Sequence, residues 1–246
     1  MAETRQLFFD TPAVEETGEF FRINLELAVF RVIRNSFEVL TLPTGLSPFE
    51  GDLRLPSTKI GQEGFETTAR SYLKQKLSVH SPLHLEQISA HVAPGTNPTI
   101  NILFLGIVGQ TINPTQAQGE FKVKGSFLPI SNMEITGIPL PPHDKHMILL
   151  ARHYLAMSLQ NRTLATLFCP ETFTLGDLRR VYESVWDTKL DHANFRRKIL
   201  KSSGFVEYVS KHPSVHNLGR PAHLYQRGRL SRIYPTLQMP DRIQRK

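Results

Sequence analysis

The 246-residue sequence contains a single cysteine, Cys169, and a single tryptophan, Trp186. One thiol excludes an intramolecular disulfide framework and any zinc site built from several cysteines. It also fits a reducing compartment. No run approaches about 18 uninterrupted apolar residues, so no membrane-spanning helix is expected. The opening MAETRQLFFD lacks a basic region followed by an apolar stretch, so no secretory leader is expected and a cytoplasmic location is. Acidic residues are the scarcer charge, 22 Asp+Glu against 29 Lys+Arg, for a net +7. Apolar residues reach 40%, enough to bury a core, which excludes disorder over most of the chain. The length suits one large domain or two ordinary ones.

The charge is unevenly placed. Residues 1–142, up to the pair Pro141-Pro142, hold 11 Lys+Arg and 14 Asp+Glu, net −3. Residues 143–246 hold 18 and 8, net +10, with seven of the ten histidines. A near-neutral half joined to a strongly basic half points to a sensor or enzyme carrying a polyanion-binding module. A basic solvated surface without a partner is the alternative.

Residues 1–20 are acidic, weakly patterned and read as a flexible segment. The run from Ile23 to Ile33 alternates and then turns apolar on both faces, as in a strand entering a buried sheet. Asn35-Ser36 signals a turn, and Phe37–Leu42 returns as the second strand of a hairpin. A loop rich in Pro, Gly and Ser spans Pro43–Gly64. Phe65, Ala69, Leu73 and Leu77 then mark one apolar helix face. Strands follow at Leu83–His91, Thr99–Val108 and Glu120–Leu128. This order predicts a mixed α/β or α+β domain rather than a βαβ repeat.

Beyond the prolines, Asp144 is placed to cap a long helix reaching about Gln160, and Thr163–Phe168 to add a short turn. Thr174 is a natural N-cap with Asp177 three residues on, and Phe173 and Leu178 occupy the hydrophobic-staple positions. Leu178, Val181, Tyr182 and Val185 form the buried stripe of that helix. A further helix, Asp191–Ser202, is stopped by Gly204. Its Phe195 and Ile199 face inward. Asn194, Arg197, Lys198 and Lys201 follow i, i+3, i+4, i+7 and share the outer face. Such a face meets phosphates by charge and base edges by paired hydrogen bonds, although an ordinary solvated face has the same spacing. Strands at Phe205–Val209 and Ala222–Tyr225 enclose a polar loop. The layout is that of a winged helix-turn-helix, with Lys211, His216 and Arg220 on the wing. Thr174 and Arg180 are weaker DNA-contact candidates. Arg196 is placed either for DNA or for an internal ion pair.

The run FTLGDLRRVYESVWDTKLDHANFRRKILKSSGFVE, followed by GRPAHLYQ, resembles the C-terminal domain of the Nudix-related transcriptional regulators of the NrtR type. FTL, LRRVYE, NFRRKIL and GRPAxLY are specific as a set. Pro48-Phe49-Glu50-Gly51, Leu55-Pro56, Lys76-Leu77-Ser78-Val79 and Leu85-Glu86-Gln87 resemble the N-terminal part of the same family. The resemblance covers about residues 23–226. It implies an α+β protein in which a Nudix-like mixed-sheet α/β/α sandwich, residues 21–142, precedes a winged helix, residues 143–226. A basic tail, residues 227–246, lies outside it.

The Nudix pattern G-x5-E-x7-R-E-U-x-E-E-x-G-U, with U bulky aliphatic, uses helix carboxylates to hold divalent metal against a pyrophosphate. In this chain Ser71-Tyr72 stand for Arg-Glu and Gln75-Lys76 for Glu-Glu. Ser78 takes the small position, and Ser57 or Thr58 replaces the glycine. Glu63 alone matches, with Glu66 in the next turn, while Leu73 and Val79 keep the aliphatic positions. No metal site, no catalytic residue and no resident cofactor are expected. Arg54, Lys59, Lys74 and Lys76 are instead candidates to hold an anionic nucleotide.

The resemblance implies a ligand-responsive repressor of NAD-related metabolism, with ADP-ribose or a related nucleotide as effector. It implies a homodimer that reads a double-stranded operator with one winged helix per half-site. Some members of the family regulate sugar-utilisation genes instead, which leaves the effector open. The alternatives are a Nudix-type pyrophosphohydrolase with an appended nucleic-acid-binding domain, and a module binding RNA or protein.

Overall fold

The computed structural model describes residues 21–44, 52–77, 83–93, 98–109, 125–130, 140–211 and 223–240. The predicted first hairpin forms β1 (Arg22–Ile33) and β2 (Ser36–Pro43). Its two turn residues, Arg34 and Asn35, have φ of 46° and 69°. Two consecutive positive φ values give the tight turn whose twist matches that of paired strands.

β1 is the centre of the sheet. β2 pairs antiparallel with its C-terminal half, and the short β4 (Ser57–Lys59) pairs with residues 24–26. On the other edge β6 (Thr99–Val108) runs parallel to β1 from Arg22 to Phe30. β5 (Leu83–Ala93) flanks β6, while β3 (Leu53–Arg54) and β7 (Ser126–Pro129) pair with β2. One parallel pair among antiparallel ones makes the sheet mixed, as expected. β1 and β6 approach closely at Gly106, where a Cβ would lie 2.8 Å from Val29 Cγ2. β3 and β4 lie inside the segment expected to be loop. They are too short to show periodicity, and strand edges of β1 and β2 fix them. Of the strand expected over Glu120–Leu128, residues 120–124 lie outside the described residues, as do residues 1–20.

Each face of the sheet is covered. On one, α1 (Phe65–Leu77) seats Ala69 and Leu73 against Leu25, Leu27, Val29, Leu40 and Phe104. Phe65, expected in this stripe, is 36% exposed. On the other face, α2 (Pro142–Ser158) packs Met147, Ile148, Ala151 and Leu155 on Ala28, Phe30, Leu103 and Leu105. That core runs without a break into the C-terminal elements: the 3-10 turn Thr163–Phe168, α3 (Leu175–Trp186), α4 (His192–Lys201), β8 (Val206–Lys211) and β9 (His223–Arg227). Phe37 at the start of β2 links the two parts. Its ring stacks on Phe30 at 4.9 Å and meets Phe168 edge-on at 6.4 Å.

Asp144 does not cap α2. The helix starts earlier, behind Pro141 with Pro142 in its first turn, and no side chain caps it. Proline is preorganised for that position and needs no amide partner there. Asp144 is buried instead, and its carboxylate accepts from the Leu55 amide at 2.8 Å and from Arg54 at 3.2 Å. The segment set apart as a basic tail is packed over much of its length. Ile233 and Leu237 are buried. Their amides donate to Asn161 and Gln160, and Leu230 donates to Gly204. No helix among the described residues is long and apolar enough to cross a membrane.

Candidate nucleic-acid interface and effector domain

α3 is the scaffold of the C-terminal domain. Its capping box forms as the spacing predicts: Thr174 Oγ1 accepts from the Asp177 amide, and Asp177 accepts from the Thr174 amide at 2.8 Å. The Thr174 hydroxyl also donates to Asp177 at 2.7 Å, so its proton is committed inside the cap. Arg180 pairs with the same carboxylate. Leu178, Val181, Tyr182 and Val185 are buried. Trp186 is core, and its indole N–H donates to the Ala156 carbonyl of α2 at 2.9 Å.

The turn between α3 and α4 begins with Asp187 at φ 52°. Two α3 side chains hold it: Glu183 accepts from the Leu190 amide at 2.9 Å, and Arg179 donates to the Leu190 carbonyl at 3.3 Å. Sequence reasoning missed this pair, whose i, i+4 spacing was the available signal. Asp191 then caps α4 by accepting from the Asn194 amide at 2.8 Å. α4 anchors through buried Phe195 and Ile199 only. Gly204, at φ 78°, ends the turn beyond it in the left-handed region that favours glycine.

Asn194, Arg196, Arg197, Lys198 and Lys201 are all exposed, and no acidic residue occurs from His192 to Val206. Asn194 Oδ1 accepts from Arg197 at 2.8 Å, which holds two polar ends side by side. Arg196 makes no ion pair among the described residues. β8 and β9 form the predicted hairpin, with Lys211 opposite His223. His216 and Arg220 lie outside the described residues.

The four effector candidates are less alike. Lys59 ends β4 opposite Asn24, and Lys74 is exposed on α1. Lys76 lies in the last turn of α1. Arg54 is half-exposed but clamped by Asp144. Around the lower half of α2, Glu86 of β5 accepts from Tyr154 at 2.6 Å and from Arg162 at 2.9 Å. Burial raises the Glu86 carboxyl. Hydrogen bonds from Arg162, Tyr154 and His84 and the charge of Arg162 outweigh this and lower it to about 2. Cys169 is buried, which pushes its thiol up and keeps it protonated.

The sandwich and the hairpin-backed helix define the class: a Nudix-like domain followed by a winged helix. Residues 166–226 match the family model of the NrtR DNA-binding winged helix domain. The match to that family covers the C-terminal domain, and the order of the two domains is that of the similar solved structures. It is 22% identical over 214 residues to the "ADPR responsive transcriptional repressor NtrR" of Acinetobacter baylyi, covering 83% of this chain and 81% of that protein. The crystal structure of Shewanella oneidensis NrtR complexed with a 27mer DNA matches with a TM-score of 0.69 and 19% identity, over 88% of this chain and 99% of that one. A MutT/nudix family protein from Enterococcus faecalis matches with a TM-score of 0.66 and 14% identity, over 85% and 89%. At these identities the solved structures establish the fold.

Proposed function

We propose that the chain is a transcriptional repressor that binds operator DNA through α4 and the wing and responds to ADP-ribose or a related nucleotide bound by the Nudix-like domain. The observation that carries the reading is the acid-free, exposed face of α4, held out by α3 within a domain that matches the NrtR winged helix. Lys198 and Lys201 supply charge for phosphates. The Asn194–Arg197 pair is suited to base edges, where both residue types make paired hydrogen bonds. The relatives support the same reading, one by its name as a repressor responsive to ADPR and one by its complex with DNA. Two copies, with one winged helix per half-site, match a pseudo-palindromic operator.

The Nudix-like domain acts as a sensor rather than a hydrolase. Tyr72, Gln75 and Lys76 stand where the metal-binding carboxylates of an active box belong, Ser71 stands where its arginine does, and Glu66 is paired with Arg70 at 2.8 Å. Arg54 offers a route for the signal. A phosphate competing for Arg54 loosens its bond to Asp144 in the first turn of α2, the helix that packs on both the sheet and α3. The effector acts only as far as it binds the two arrangements with different affinity.

Fluorescence anisotropy on DNA from the protein's own promoter, with and without NAD-related nucleotides and sugars, tests this reading. Expected results are binding that weakens steeply with salt and release by ADP-ribose. Arg197→Ala should cost about 1–3 kcal/mol if the residue reads a base. DNA binding unchanged by Arg197→Ala and by Lys198→Ala removes α4 as the reading helix. Metal-dependent phosphate release from ADP-ribose removes the sensor assignment.

A further inference from the structure

A buried carboxylate of the sheet has an oxygen with no partner among the described residues, and two imidazoles converge on it. Glu26 of β1 points toward α2, and its side chain is 9% exposed. Oε1 contacts His143 Nε2 of α2 at 2.7 Å. Oε2 is buried, has no hydrogen-bond partner among the described residues, and lies 3.9 Å from His91 Nε2 of β5. The two imidazole rings are 5.3 Å apart. One ligand atom from each of the three residues falls within 4.8 Å of the others. An unsatisfied buried carboxylate oxygen is costly and calls for a missing partner.

We infer that Glu26, His91 and His143 bind one divalent transition-metal ion of the zinc class. Two imidazoles and a carboxylate are a donor set that zinc accepts, with bonds of about 2.0–2.2 Å. Two such bonds end to end span about 4 Å, so an ion fits between Glu26 Oε2 and His91 Nε2, a gap too wide for a hydrogen bond. The ligands come from three elements, and the ion would take the His91 nitrogen that Asn101 also faces. Asn101 Nδ2 lies 3.5 Å from His91 Nε2, and Asn24 donates to Asn101 Oδ1 at 3.3 Å. This row crosses β1, β6 and β5 in register. The His91 and His143 side chains, 28% and 39% exposed, leave an entry path. The bound ion ties the first turn of α2 to β1 and β5. The site shares no residue with the proposed DNA or nucleotide contacts, and it borders the latter: His143 precedes Asp144, the partner of Arg54, and Lys59 lies opposite Asn24.

The test is a titration of the chelator-treated full chain with Zn2+ by calorimetry, and with Co2+ by absorption. The expected result is one ion per chain, a Co2+ ligand-field band, and a rise in Tm on adding Zn2+. Because loss of an outer partner alone weakens metal sites about 10–100-fold, His91→Ala and His143→Ala should each weaken binding more than 100-fold. His153→Ala, an exposed α2 histidine outside the group, should change nothing. Circular dichroism shows whether each variant is folded, and Glu26→Gln keeps the side-chain volume if an alanine variant is not. No ion bound by the parent chain overturns the inference. So does full binding retained by folded His91→Ala and His143→Ala.

Discussion

The two faces of the sheet are built differently. The α1 face is closed by apolar side chains, and the charges on its helix point to solvent, where Glu66 and Arg70 satisfy each other. The α2 face mixes apolar packing with buried or half-buried polar clamps: Asp144 on Arg54 and Leu55, Glu26 on His143, and Glu86 on Tyr154 and Arg162. Its core also continues into the winged helix. A face that only packs can be apolar throughout. A face that must hold a second domain in register gains from contacts that are directional and specific.

Breaking the link between the halves should cost most. Phe37→Ala removes the ring between Phe30 and Phe168 and should destabilise by about 3–5 kcal/mol. Trp186 is the sole tryptophan and lies in the C-terminal domain, so its fluorescence reports that half in denaturant. Its midpoint should shift together with the far-UV signal. A Trp186 transition that Phe37→Ala leaves in place would show two independent cores. Asp144→Ala strips a partner from the Leu55 amide and from Arg54, and should cost about 1–3 kcal/mol in a urea titration. Within the winged helix itself, Thr174→Ala loses the capping box and should cost about 1 kcal/mol.

Acid should act on the α2 face through Glu86. The folded-state carboxyl is lowered to about 2 from its ordinary 4.5, so its stabilisation is complete above pH 4.5 and is lost as pH falls toward 2. Midpoints measured between pH 5 and pH 2 should drop less steeply for Glu86→Gln than for the parent chain. Equal slopes would remove the clamp. On the α1 face, Arg70→Ala breaks an exposed i, i+4 pair and should shift stability by about 0.3–0.5 kcal/mol. A loss as large as that of Asp144→Ala would erase the contrast between the faces.

Local rules read well from this sequence where they act alone. Thr174 and Asp177 form the capping box, Leu178 to Val185 form the stripe, and the spacing of Asn194, Arg197, Lys198 and Lys201 gives one exposed face. Tertiary partners decided the rest. Asp144 has the position of a cap, but Pro141 and Pro142 start the helix earlier and a loop amide takes its carboxylate. Leu230, Ile233 and Leu237 have the spacing of a helix face, but Pro235 is unfit for a helix interior, so that spacing does not mark Ile233 and Leu237 as buried. Arg54 reads as a free cation until the fold brings Asp144 beside it. Glu26, His91 and His143 have no shared spacing. Strand register and the landing of α2 bring them together.

The Phe30–Phe37–Phe168 seam also constrains how such a protein can change over evolutionary time. A winged helix moved onto a different Nudix-like sheet would meet a surface of the wrong shape where Phe37 should fill it. A larger or smaller side chain on one side needs a matching change on the other, because close-packed interiors tolerate volume changes poorly. Grafting a different Nudix-like domain onto this winged helix therefore means redesigning the seam as well.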